Sequence, residues 1–155
     1  MNETGVTASN QPESGRADSA SRPRVVIAED FMLIQENIRK VVQPHCTVLA
    51  TVEDGESALR AVEAHAPDIL LLDVSLPDMS GFDVLEKLLG SGSSVKVILL
   101  TAHADPTYVR IAFERGAKGY VVKGRMWTDL PAAIRQVTSG GDSAPPLDPQ
   151  GRNET

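Results

Sequence analysis

Cysteine is nearly absent from this 155-residue chain. Cys46 stands alone, so no disulfide can form within the chain, and a reducing cytoplasm fits that usage better than an oxidising compartment. No stretch approaches the roughly 18 consecutive apolar residues of a membrane helix. The start, MNETGVTASNQPESGR, has no basic start and no apolar segment, so it is not a signal peptide. Positive charge is also scarce: 15 Lys and Arg oppose 21 Asp and Glu, a net charge of −6. A nucleic-acid module normally carries a basic patch, and an anionic membrane attracts one, so neither is an expected partner of this chain. No Gly-rich phosphate loop follows the first apolar run. Glu29-Asp30-Phe31 stands there instead, which tells against a dinucleotide or P-loop site.

What is present is a pattern of short apolar runs and helix-period segments. Residues 1–22 and 141–155 have few large apolar side chains and read as disordered tails. Residues 23–140 make one domain of a size that can bury its own core. Arg24–Ala28 is a strand candidate, and a helix follows with Ile34, Ile38 and Val41 on one face. Thr47–Val52 is a weaker strand, and Asp54–His65 a helix with Asp54 as its N-cap. Asp68–Val74 (DILLLDV) is apolar throughout, as for a strand covered on both faces. Ser80–Leu89 is a helix opened by a capping box of Ser80 and Asp83, with Gly90 as its left-handed stop. Val95–Leu100 is a strand. Asp105-Pro106 opens a helix to about Arg115, Lys118–Val122 is a fifth strand, and Thr128–Thr138 a fifth helix.

Five strand–helix repeats predict a parallel sheet with helices on both faces. In such sheets ligands bind beyond the carboxyl ends of the strands. Glu29-Asp30 ends the first run, Asp73 the third, Thr101 the fourth and Lys123 the fifth. Clustered carboxylates repel one another unless they take up protons or a cation. Oxygen ligands suit a hard ion such as Mg²⁺, which binds through one or two carboxylates plus phosphate oxygen. Asp73 can then act as a nucleophile forming an acyl phosphate, with the cation, Lys123 and Thr101 positioned to stabilise charge on the transferred group. Taken alone, Asp73 reads equally as a turn or capping residue, Lys123 as a surface lysine, Thr101 as a strand terminus and Tyr120 as packing. Their joint position at consecutive strand ends is what favours chemistry.

These residues resemble those of the receiver domain of bacterial two-component response regulators. The resemblance lies in Glu29-Asp30, LLLDVSLPDMSGFDVL with Asp73, Pro77 and Gly81, LLTAHA with Thr101, and GAKGYVVKG with Tyr120 and Lys123. It covers about residues 24–139. GAKGYVVKG and LPAAIRQVTSGG look closest to the subgroup that often carries a helix-turn-helix output domain, and that domain is not in this sequence. The resemblance implies a five-stranded flavodoxin-like sheet of order 2-1-3-4-5.

It further implies that Asp73 accepts a phosphoryl group from a sensor histidine kinase or a phosphotransfer protein. Asp30 and Asp73 would hold Mg²⁺, with Glu29 acting mainly through water and the Ser75 backbone carbonyl completing the shell. Lys123 would bridge Asp73 and the phosphoryl group. Thr101 would move onto a phosphoryl oxygen, and Tyr120 would turn inward after it, altering the face made by the fourth helix, fifth strand and fifth helix. That face would bind a target protein or a second copy. Ser75 and His103, each two residues past a site residue, are candidates for setting the lifetime of the phosphorylated state.

Such a chain performs chemistry only on itself. The alternative is a DNA-binding transcription regulator lacking its output domain. A phosphatase of the haloacid dehalogenase type is disfavoured, because its second Asp would stand where Ser75 is. His45, His65 and Cys46 form no metal cluster, since they fall away from the strand ends.

Overall fold

The computed structural model describes residues 22–103 and 105–145. The remainder of the two expected tails, 1–21 and 146–155, lies outside the described residues. Five parallel strands form one sheet: β1 (Arg24–Ala28), β2 (Thr47–Val52), β3 (Ile69–Asp73), β4 (Lys96–Thr101) and β5 (Gly119–Val122). Their spatial order is β2-β1-β3-β4-β5, the order that the resemblance implied. The helices are α1 (Met32–Val42), α2 (Gly55–His65), α3 (Gly81–Gly90), α4 (Pro106–Glu114) and α5 (Met126–Thr138).

The apolar strands explain the two layers of helix. Alternate residues of β1, β3 and β4 point to opposite faces. On one face Val26, Leu70, Leu72, Val97 and Leu99 pack with Ala58 and Val62 of α2, Val84, Leu85 and Leu88 of α3, and Val109 and Ala112 of α4. On the other, Ile27, Leu71, Ile98 and Leu100 pack with Ile38, Val41 and Val42 of α1 and Leu130, Ile134 and Val137 of α5. Cys46 is buried in this second layer, and desolvation pushes its thiol up to about 11. Among the described residues no helix is long and apolar enough to cross a membrane.

Local signals place the turns. Asp54 caps α2 by accepting from the Ser57 N–H at 2.7 Å, and Ser80 with Asp83 makes the full capping box on α3. The stop of α3 is shifted from the sequence expectation. Gly90 is the last helical residue, and the left-handed position falls on Gly92, with φ of +79°. Helix α5 begins at Met126, two residues early, because a 3₁₀ turn over Lys123–Arg125 leads straight into it.

Residues 141–145, placed in the C-terminal tail by composition, lie beside the sheet. After α5 the chain reverses and lays Ser143 in parallel beside Gly119 on the outer edge of β5. The Ser143 N–H donates to the Lys118 carbonyl at 2.8 Å, and the Tyr120 N–H donates to the Ser143 carbonyl at 3.0 Å. Pro145 has no N–H with which to continue this ladder. The segment therefore covers part of an otherwise open edge. At the other end Arg22 donates to the carbonyls of Gln43, Pro44 and Cys46, which closes the C-terminal end of α1. Ser143→Pro should lower stability to urea by about 1 kcal/mol through the lost hydrogen bond. It should also speed hydrogen exchange at the Tyr120 amide. Unchanged exchange there would contradict the pairing.

Candidate functional site

In the order β2-β1-β3-β4-β5 the connections run outward in opposite directions from β1 and β3, which opens a crevice between those strands. The β1–β3 register pairs Ala28 with Leu72. The next residues along, Glu29 and Asp73, therefore face each other across the crevice, with Asp30 just beyond. One carboxylate oxygen from each of the three lies within 4.8 Å of the others. Lys123 reaches in from the end of β5. Its Nζ stands 2.9 Å from Glu29 Oε1 and 3.1 Å from Asp73 Oδ1.

Glu29 is 0% exposed, whereas Asp30 lies open to solvent. Glu29 Oε2 accepts from the Phe31 N–H at 3.0 Å. Glu29 Oε1 is a buried atom with no aligned hydrogen bond, so the Lys123 approach to it is a charge contact and not an oriented bond. Burial raises the Glu29 carboxyl above the ordinary glutamate range, and the neighbouring Asp73 charge adds to this. Lys123 and the Phe31 amide partly offset the rise. For Lys123, burial pulls downward, but Glu29 and Asp73 outweigh it and the net shift is upward. The pairing contribution of Lys123 is thus fully present at neutral pH and is lost only as pH rises through its raised value.

Thr101 and His103 lie on the other flank. The His103 N–H donates to Thr101 Oγ1 at 3.4 Å, and the Tyr120 hydroxyl donates to the His103 carbonyl at the same length. Val74, Phe82, Asp105 and Tyr108 join these three residues around a cleft of about 440 Å³. Tyr120 is buried, at 2% exposure. Burial raises its phenol above the usual tyrosine range. A larger cleft of about 650 Å³, between the C-terminal ends of α2 and α3, lies at the opposite edge of the sheet from the carboxylates. The clustered carboxylates follow the strand ends and not that larger cleft.

Ser75 is exposed, and its N–H donates to Asp73 Oδ1 at 3.1 Å, fixing one oxygen of the central carboxylate. The loop from Val74 to Ser80 closes on itself through a Ser75–Ser80 bridge and a 2.7 Å bond from the Gly81 N–H to the Val74 carbonyl. A Cβ at Gly81 would come within 2.7 Å of the Asp73 carbonyl oxygen, so only glycine lets α3 start this close to the site. Sequence reading missed two supporting residues. Gln35 donates from its side-chain amide to the Glu29 carbonyl at 2.9 Å. Asp78 accepts from the Gly55 and Glu56 amides at 2.7 and 3.0 Å. Asp78 lies within LLLDVSLPDMSGFDVL, but nothing in its spacing points to α2. His45, His65 and Cys46 are not brought to this edge.

An all-oxygen donor set with one unsatisfied buried oxygen fits a hard divalent cation, and Glu29, Asp30 and Asp73 are the residues that could hold it. Because a cation bound only by the folded chain stabilises it by mass action, Mg²⁺ at about 100 times its dissociation constant should add about 2.7 kcal/mol to unfolding free energy. Asp30→Asn should lose most of that gain. An equal gain in wild type and Asp30→Asn would contradict the site.

With this geometry in place, comparison with known proteins identifies the fold and family. Residues 25–135 match the response regulator receiver domain. The transcriptional regulatory protein DegU of Brevibacillus brevis is 33% identical over 120 residues, which are 76% of this chain and 51% of that protein. The probable transcriptional regulatory protein NarL of Mycobacterium tuberculosis is 30% identical over 79% of this chain and 58% of its own length. The chain thus spans about half the length of these relatives. Among solved structures, the signal receiver domain of the putative response regulator NarL from Mycobacterium tuberculosis is 30% identical and superimposes with a TM-score of 0.73, over 77% of this chain and 98% of that one. A two-component response regulator of the LuxR family from Aurantimonas sp. SI85-9A1 gives a TM-score of 0.75 at 26% identity, over 84% and 92%. The chain belongs to the response regulator receiver domain family.

Proposed function

We propose that this receiver is a phosphorylation-switched signalling module of the bacterial cytoplasm whose own catalysis is confined to itself. The observation that carries the reading is the convergence of Glu29, Asp30, Asp73 and Lys123 at one crevice. Asp73 is the acceptor. One of its oxygens attacks the phosphorus of a phosphohistidine on a sensor kinase or phosphotransfer protein. The P–N bond breaks as the new P–O bond forms, and the imidazole leaves and takes up a proton. Mg²⁺, held by Asp30 and Asp73, by the Ser75 carbonyl and through water by Glu29, would neutralise charge on the transferred group. Lys123, already on Asp73 Oδ1, is placed to follow that charge. Water later attacks the same phosphorus, the P–O bond to Asp73 breaks, and inorganic phosphate leaves as the carboxylate is restored; Ser75 and His103 are the residues proposed to border the water's path.

Two surfaces support traffic on and off the site. Phe31, Met32 and Leu33 follow Asp30 directly and are unusually exposed for large apolar residues. An apolar patch beside the acceptor suits a docking donor protein. On the face made by α4, β5 and α5, Tyr108 and Trp127 are exposed while Ile111 and Phe113 are half-buried. Thr101 and Tyr120 connect the site to that face, through which the phosphorylated form would bind a target or a second copy. The relatives' names and lengths favour a second reading, in which this receiver serves a transcription regulator through a helix-turn-helix domain beyond Thr155. Extending the reading frame past Thr155 decides between them.

The direct test is to incubate the protein with acetyl phosphate and Mg²⁺ and measure its intact mass. Wild type should gain one phosphoryl group, and Asp73→Asn none. No gain on wild type, or the same gain on both, would overturn the reading.

A further inference from the structure

Helix α2 has three amide donors in its first turn that no helical carbonyl can reach: those of Gly55, Glu56 and Ser57. Its own N-cap, Asp54, takes only the last. The other two are taken by one carboxylate from another element, Asp78 of the β3–α3 loop, with Oδ1 on the Gly55 amide at 2.7 Å and Oδ2 on the Glu56 amide at 3.0 Å. Both bonds are charge-assisted, and they point at the positive end of a helix. The same amides hold the Asp78 carboxyl below the ordinary aspartate range, Gly55 first. The neighbouring contact is equally close: a Cβ at Gly55 would stand 2.4 Å from the Met79 side chain, so the loop lies directly on the helix start.

The other end of this loop is the site. Its residues run from Val74 to Ser80, and the Ser75–Ser80 bridge makes the two ends of the loop move together. The Ser75 N–H holds Asp73 Oδ1, and Ser75 carries the carbonyl assigned above to the metal shell. A side chain that clamps the tip of the loop to α2 therefore also sets the position of Ser75 and the orientation of the Asp73 carboxylate.

We propose that Asp78 is a positioning residue for the phosphoryl-acceptor site: by clamping the β3–α3 loop to the first turn of α2 it fixes the Ser75 backbone against Asp73 and the cation. Asp78 touches neither phosphoryl group nor metal and acts only through the loop. The inference rests on the reading of Asp30, Asp73 and the Ser75 carbonyl as metal ligands.

Asp54 supplies the control, because its side chain caps the same helix turn through the Ser57 amide, a bond within α2 itself. In metal-free protein, Asp78→Ala should speed hydrogen exchange at the Ser75 amide, and Asp54→Ala should not. In a Mg²⁺ titration followed by amide chemical shifts, Asp78→Ala should weaken binding about tenfold, the size usual for a lost outer partner of a metal ligand. Asp54→Ala should bind Mg²⁺ as wild type does while unfolding at lower temperature. Asp78→Asn keeps the shape and one acceptor oxygen. It should fall between wild type and Asp78→Ala in both measurements, and it serves if the alanine variant does not fold. Equal effects of the Asp54 and Asp78 variants on Ser75 exchange and Mg²⁺ affinity would reduce Asp78 to a helix cap and overturn the proposal. So would a loss of stability in Asp78→Asn with neither readout changed. If wild type bound no Mg²⁺, the metal reading would fail, and the metal-free exchange arm would still decide whether Asp78 holds Ser75 in place.

Discussion

The contact between buried Glu29 and Lys123 governs the upper edge of this sheet. A carboxylate removed from water is costly unless a counter-charge stands close, and here the counter-charge comes from the far edge of the sheet. Lys123 can reach Glu29 only if β5 is in register with β4, β4 with β3, and β3 with β1. The ion contact is thus a consequence of the complete parallel sheet. It is also incomplete: one ammonium touches two of three clustered carboxylates, and one Glu29 oxygen has no aligned hydrogen bond. Natural folds tolerate such local dissatisfaction mainly at functional sites. The start of α1 shows the same priority, since it has no capping side chain and leaves Phe31, Met32 and Leu33 in solvent.

Around this contact the two flanks are held differently. On the Asp73 side, the β3–α3 loop is bridged at Ser75 and Ser80, fitted against Gly81 and clamped by Asp78 through bonds of 2.7 to 3.0 Å. On the Thr101 side, the links from His103 to Thr101 and from Tyr120 to His103 are both 3.4 Å, at the weak limit of hydrogen bonding. For the proposed phosphorylation switch, a firmly held Asp73 beside a loosely tied Thr101 hydroxyl is the arrangement required: the acceptor would keep its geometry while Thr101 moved. The loose side is continuous with β5, where Tyr120 is bonded through its backbone to the segment around Ser143.

Much of this was legible in the sequence because its signals are local. Apolar runs such as DILLLDV mark strands covered on both faces, and residues that directly follow such runs must gather at one edge. Asp73, Thr101 and Lys123 were therefore readable, as were the Asp54 cap and the Ser80–Asp83 box. The features that were not readable depend on contacts between distant segments. Complete burial of Glu29 depends on where Lys123 and the Gln35 amide lie. The Asp78 clamp needs the loop after β3 to meet the start of α2. Residues 141–145 look like a polar tail by composition, and only the open edge of β5 gives Ser143 a place to pair. The shift of the α3 stop from Gly90 to Gly92 is a smaller case: both glycines are plausible in sequence, and the length of the packed helix decides between them.

The most direct measurement is a double-mutant cycle on Glu29 and Lys123, in metal-free buffer at neutral pH, using Glu29→Gln, Lys123→Met and the pair, each unfolded in urea. If the contact between these two groups holds the upper edge together, Lys123→Met should be strongly destabilising alone, less so in the Glu29→Gln background, with a coupling energy of about 1–3 kcal/mol. A coupling within about 0.5 kcal/mol of zero would contradict the account, because the two groups would then be independent despite their 2.9 Å separation.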